Sequence, residues 1–195
     1  VYVTGIFAGT VDFGAGNVTA AGNGDVFVTK LNSSGAHQWT TTIGGASTDS
    51  GYGVAVDGSG NVYTTGYFAG TVNFGSGNVT SAGSYDVFVT KLNSSGAHQW
   101  TTTFGGTGND NSYGLAVDGS GNVHVTGNFE NTVDFGAGDV TSNGHRDVFV
   151  TKLNSSGAHQ WTNTLGGTGG EIGEGVAVDG SGNVHVTGNF ENTVD

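Results

Sequence analysis

Short runs of alternating apolar and polar residues, each closed by a cluster of Gly, Asn, Ser or Asp, fill the chain. YGVAVD (52–57) places Tyr, Val and Val on one side and Gly, Ala and Asp on the other, and the turn GSGN follows. VYTTGYF (62–68), DVFVTKLN (25–32) and HQWTTTI (37–43) are rich in Val, Thr and aromatic residues. Such runs between turn residues predict strands and hairpins. Asp57 and Asn32 are placed to accept a hydrogen bond from a backbone N–H two residues on. Gly60 and Gly35 are placed to supply the positive φ of a tight turn. No stretch of useful length has the 3.6-residue period of a helix, so the chain is expected to be all-β.

The pattern repeats. Trp39, Trp100 and Trp161 stand 61 residues apart; DVFVTKLNSSGAHQWT recurs unchanged at 25–40, 86–101 and 147–162, and AVDGSGNV at 55–62, 116–123 and 177–184. The units are read as 1–61 (starting in a second strand), 62–122 and 123–183, with 184–195 opening a fourth. Four antiparallel strands in each unit of this length predict a β-propeller with one blade per unit. Gly53 and Ala55 suit a slim innermost strand, Val26-Phe27-Val28 a third strand buried on both faces, and the Thr-rich fourth strand a partly wet edge. A β-solenoid is the rival, disfavoured because its coils are shorter and the hairpin turns require antiparallel pairing.

GVAVDGSGNVYTTGYF (53–68) resembles the GxAVDxxGNxYxTG core of the bacterial SBBP β-propeller repeat, and TVDFGAG (10–16) and DVFVTKLNSSG (25–35) are also similar to parts of those repeats. The resemblance extends over the whole chain. It implies a propeller from a multi-repeat secreted or cell-surface protein. It implies no reaction, since that family is defined by its repeat. About three blades are too few to close a ring, so further repeats of the same chain, or a second copy, are the expected partners. A portion of a larger surface protein is the favoured reading.

Composition narrows the functional classes. Of 195 residues 39 are Gly, and Pro, Cys and Met are absent; Lys plus Arg is 4 against 16 Asp plus Glu, for a net charge of −12. No disulfide, CxxC zinc site or thiol nucleophile is available. Four basic residues form no nucleic-acid stripe. No apolar run approaches the ~18 residues of a membrane span.

Where the units differ is informative. DGSGN and NSSGA are invariant, whereas the second-to-third connections (20–24, 81–85, 142–146) and the fourth-to-first connections (46–53, 107–114, 168–175) vary. In a propeller these connections share one face. Tyr85, Asn109, His145, Arg146 and Glu174 are therefore the candidate ligand-binding residues, with a glycan or a protein as ligand. Asp49, Asp110 and Glu171 occupy equivalent Gly-rich positions, where GGTGNDN (105–111) matches the start of a calcium-binding nonapeptide, so Ca²⁺ is the candidate ion. Asp57, Asp118 and Asp179 are read as turn caps. His37, His98 and His159 recur beside the Trp, and His124 and His185 replace Tyr63, so all five read as strand residues. The repeated lysines Lys30, Lys91 and Lys152 are expected near a blade edge, paired with a carboxylate. No GxSxG, HExxH or GxxxxGK[ST] motif is present. The expected function is a non-catalytic structural or adhesion module; the alternative is a propeller that recognises its ligand through the variable loops.

Overall fold

In a computed structural model, which describes residues 1–193, the chain forms an open arc of antiparallel sheets with no helix among the described residues. Blade I holds β1 (Tyr2–Phe7), β4 (Asp25–Leu31) and β5 (His37–Ile43), with a small hairpin of β2 (Thr10–Asp12) and β3 (Asn17–Thr19) between β1 and β4. Blade II holds β6 (Ser50–Val56), β7 (Val62–Phe68), β10 (Asp86–Leu92) and β11 (His98–Phe104), with the hairpin β8 (Thr71–Asn73) and β9 (Asn78–Thr80). Blade III repeats this as β12 (Asn111–Val117), β13 (Val123–Phe129), β16 (Asp147–Leu153) and β17 (His159–Leu165), with β14 (Thr132–Asp134) and β15 (Asp139–Thr141) as its hairpin. β18 (Ile172–Val178) and β19 (Val184–Asn189) form the first two strands of blade IV. The sheets of blades II and III have four strands and that of blade I three, strand follows strand across each blade, and the arc is an incomplete propeller.

The turns form as their residues dictate. Asp57 Oδ1 accepts from Ser59 N and Asn61 N at 2.9 Å each, Asn32 Oδ1 accepts from Ser34 N at 3.0 Å and Ala36 N at 2.9 Å, and Gly60 and Gly35 have φ of 80° and 83°. Burial works to raise the Asp57 carboxyl, but hydrogen bonds from Asn61, Tyr63 and Ser59 outweigh it and hold it low. The short hairpins lie outside the four-strand reading, because runs of three residues stand at the lower limit of strand length and show almost no alternation. Val72 and Phe74 of the β8–β9 hairpin are buried with Val26 and Ile43 of blade I and Phe68 and Phe88 of blade II, so the hairpin seals the junction between blades.

The core lies between sheets rather than within one. Tyr63, Val87, Val89 and Phe104 of blade II join Val123, Val125, Phe129, Phe149 and Leu153 of blade III in one buried cluster. The third strands are buried on both faces, as their contiguous apolar runs require. The first strands approach closely: a Cβ on Gly114 would stand 2.9 Å from Gly175 Cα, which explains the slim residue there.

Opposite the variable connections, the invariant turns clasp neighbouring blades. Trp39 Nε1 and Lys30 Nζ of blade I donate to Ser94 O of blade II at 3.1 and 3.2 Å, and Thr41 Oγ1 donates to Gly96 O at 2.8 Å. Trp100 and Thr102 repeat the contact onto Ser155 and Gly157. The lysine expectation is corrected here. The third strand is interior to its sheet, and its lysines turn toward the clasp: Lys91 lies 5.0 Å over the Tyr63 ring, and among the described residues only Lys152 nears a carboxylate, at 3.9 Å from Asp118. Among the described residues no helix is long and apolar enough to cross a membrane.

Candidate ligand-binding face

Every first strand carries a bulge at one place. The pairing slips between Gly51 and Gly53, between Ser112 and Gly114, and between Gly173 and Gly175, leaving Tyr52, Tyr113 and Glu174 as the extra residues. A bulge re-aims the side chain it carries. It also crowds its neighbour: a Cβ on Gly66, Gly127 or Gly188 would overlap the carbonyl oxygen of Ser50, Asn111 or Ile172. The glycine is invariant in all complete units and the bulged residue varies, so the fold presents a different side chain from an identical frame.

These side chains meet others that vary. Tyr52 and Tyr113, from adjacent innermost strands, have ring centroids 5.1 Å apart; Tyr52 is 5.9 Å from Tyr67, and Tyr67 is 4.5 Å from Tyr85. Tyr52 is 48% exposed and the other three are half-buried. Burial, then the neighbouring phenols of Tyr52 and Tyr85, push the Tyr67 hydroxyl up to about 12. Burial likewise raises Tyr113, next to Tyr52, and the Arg146 charge opposes it. The Tyr67 and Tyr113 phenols therefore stay protonated at neutral pH and serve as donors.

The expected ligand-binding residues border this cluster to different degrees. Tyr85 belongs to it and bridges to Asn109, whose Nδ2 donates to Glu130 Oε2 at 3.2 Å. Arg146 occupies the place of Tyr85 one unit later, bridges to Gly170, and leaves its buried Nε without a hydrogen-bond partner. Glu174 lines a cavity of ≈390 Å³ with Tyr113 and Ile172, and accepts from Asn189 Nδ2 at 3.1 Å. His145 stands apart, its side chain 72% exposed and its Nδ1 3.9 Å from Glu130 Oε1. Tyr67 and Asn128 are the residues that reading by connection overlooks, because they lie on second strands; Tyr52 and Tyr113 fall within the variable connections 46–53 and 107–114, but that reading does not single them out. Comparing units position by position would have exposed them: Tyr52, Tyr113 and Glu174 are equivalent, as are Ile6, Tyr67, Asn128 and Asn189.

Asp49, Asp110 and Glu171 are placed one per junction. Asp49 accepts from Gly45 N at 2.8 Å and Ala69 N at 3.0 Å, and Asp110 from Gly106 N at 2.7 Å and Glu130 N at 3.0 Å, so each stitches a connection to the next blade. Glu171 Oε2 accepts from Gly167 N at 3.2 Å, while its buried Oε1 has no partner. Among the described residues no group of three or more His, Cys, Asp or Glu side chains is arranged to hold a metal ion.

These carboxylates have a consequence for stability. Burial raises Asp110 from 3.8 to about 6, against the Gly106 and Glu130 N–H groups that favour its charge. The folded state thus holds this proton more tightly than the unfolded chain does. Its penalty is absent below pH 3.8, grows as pH rises, and is complete above about 6. Asp49 and Asp86 are raised by burial in the same sense. Melting temperature is therefore expected to rise as pH falls from 7 toward 4.5, and Asp110→Asn should flatten that rise. A curve in Asp110→Asn as steep as in the parent would contradict the assignment. Asp12 and Asp134, held low by backbone N–H groups of Gly14 and Gly136, act oppositely and lose their contribution only below 3.8.

Comparison with known proteins places these elements in a broader context. The SBBP model, described as a beta-propeller repeat, matches residues 38–67, 99–128 and 160–189. Each match runs from the fourth strand of one blade through the junction into the second strand of the next, and so spans the bulge. The chain is also similar to an uncharacterised WD repeat-containing protein, L264, of Acanthamoeba polyphaga mimivirus, at 23% identity over 192 residues. That match covers 82% of this chain and 14% of the viral protein's length.

Proposed function

We propose that the chain is a non-catalytic interaction module, an adhesion segment of a secreted or cell-surface protein that meets its partner through the variable face. One observation carries the reading: positions that differ between otherwise near-identical units gather around the tyrosine cluster at the axial mouth. The invariant residues on the opposite side are absorbed by the interblade clasp. A face that varies on a fixed frame suits recognition. Tyrosine suits it further, offering rigid apolar area with a polar tip.

The repeated histidines support the non-catalytic part. His37, His98 and His159 each pair through Nε2 with a threonine hydroxyl of their own strand, at 2.9, 2.9 and 3.0 Å. They are engaged alike in every blade, whereas a catalytic constellation is singular.

The test is retention of washed bacterial cells on a surface coated with the 195-residue chain. Retention above that on an albumin-coated surface is expected. A double variant, Tyr52→Glu with Tyr113→Glu, should lower it several-fold. The third unit carries Glu174 at the equivalent place, so the fold accommodates this substitution. No retention by the parent would defeat the adhesion reading, and equal retention by the variant would defeat the role of this face.

A further inference from the structure

Resting on that reading, we propose that Tyr52, Tyr67, Tyr85, Tyr113, Asn128 and Arg146 form a binding site for a neutral saccharide at the axial mouth. The rings supply contiguous aromatic surface against which the C–H face of a sugar ring can stack. Tyr52, Tyr67 and Tyr85 come from blade II, and the 5.1 Å approach of Tyr52 to Tyr113 carries the surface into blade III.

Asn128 points independently to a ligand. It is 1% exposed, yet neither its Nδ2 nor its Oδ1 has a hydrogen-bond partner. A buried amide left unpaired is costly, and such groups are rare in folded proteins. The register explains where it faces. Tyr67 pairs with Ser50, and Asn128 pairs with Asn111, one unit later. Equivalent strand positions send their side chains to the same side of the sheet. Asn128 therefore extends toward the bulge residue of its own blade, Tyr113, as Tyr67 extends toward Tyr52. At that point blade III carries a short amide where blade II carries a ring.

An amide that lacks both a donor partner and an acceptor partner is matched by vicinal hydroxyls, each of which donates and accepts. The unpartnered Nε of Arg146 adds a donor, and the Glu174 carboxylate on the neighbouring bulge adds an acceptor. An open hollow of ≈390 Å³ lined by Tyr113, Ile172 and Glu174 adjoins the ring surface. Tyrosine and arginine anchor protein partners as well, so the choice of a saccharide rests on the unpaired amide of Asn128 and its match to vicinal hydroxyls. Charge selects within the saccharides. Against the net −12 of the chain, an acidic polymer would be repelled, while a neutral one would not.

Calorimetric titration of the 195-residue chain with cellohexaose, mannohexaose, N-acetylchitohexaose and polygalacturonate tests the proposal. At least one neutral oligosaccharide should bind at up to about 10 mM, and Tyr113→Glu should weaken it about tenfold or more. Asn128→Tyr, which restores the residue of the preceding unit, removes the unpaired amide and should also weaken binding. Absence of binding to all three neutral probes, binding of polygalacturonate alone, or unchanged affinity in Tyr113→Glu would each overturn the site. Treating the cells in the retention assay separates the two readings. Loss of tyrosine-dependent retention after periodate supports a saccharide. Loss after trypsin with none after periodate would leave the interaction module standing and overturn the saccharide.

Discussion

Phe149→Ala is expected to cost about 3–5 kcal/mol, a large share of the stability of a chain this size. Phe149 sits at the centre of the third strand of blade III, is 0% exposed, and belongs to the cluster that joins blades II and III. Its ring packs edge-on to Phe104 of blade II at 5.5 Å and lies 5.3 Å from Phe135. Truncation leaves a cavity whose walls are held by two sheets, so little collapse can fill it. Urea unfolding by circular dichroism should show the midpoint fall with the loss of stability. Hydrogen exchange should show protection lost first in β10 and β16, on either side of the junction. Thr103→Ala, on the half-exposed fourth strand, serves as a control and should change stability by no more than about 0.5 kcal/mol. A cost below about 1 kcal/mol at Phe149 would mean that the junction is not a packed core.

Gly127→Ala should cost about 1–3 kcal/mol and disturb recognition as well. The added methyl meets the Asn111 carbonyl oxygen, which is backbone and cannot turn aside. Relief requires the bulge to move, and Tyr113 moves with it. Stability and ligand binding should therefore fall together, with a change in the near-ultraviolet dichroism of the tyrosine cluster. Gly119→Ala separates this from loss of a glycine in general. Nothing lies within 4 Å of the site a Cβ would take there, so near-parent stability and binding are expected. If Gly127→Ala were as benign as Gly119→Ala, the bulge would not be held by the close approach.

Much of the fold was legible because it is local. The DGSGN and NSSGA turns carry their own hydrogen-bond acceptors and their own positive-φ glycines, so the hairpins could be read residue by residue. The contiguous apolar run of the third strand announced burial on both faces. The hairpin at 71–80 was obscured, since strands of three residues are too short for an alternating pattern to stand out. The lysines were misplaced for a different reason. Alternation gives the side of a sheet a residue occupies, but not whether a strand is central or at the edge.

The candidate site was legible only in part. Attention to variable connections located Tyr85, Asn109, Arg146 and Glu174 and took in positions 52 and 113 without singling them out, but Tyr67 and Asn128 lie within strands that look like framework. By itself the sequence determined the period of 61 residues, the strands of the four-stranded sheets and the two invariant turns, all of which depend on neighbours in the chain. Only the tertiary structure decided that Tyr52 meets Tyr113, that bulges aim both toward the axial mouth, and that the Asn128 amide is buried without a partner. The physical reason is that a bulge breaks the two-residue alternation on which strand reading depends, while the meeting residues stand a full unit apart. Pattern along the chain reports which side of a sheet a residue faces; packing between blades decides what it faces there.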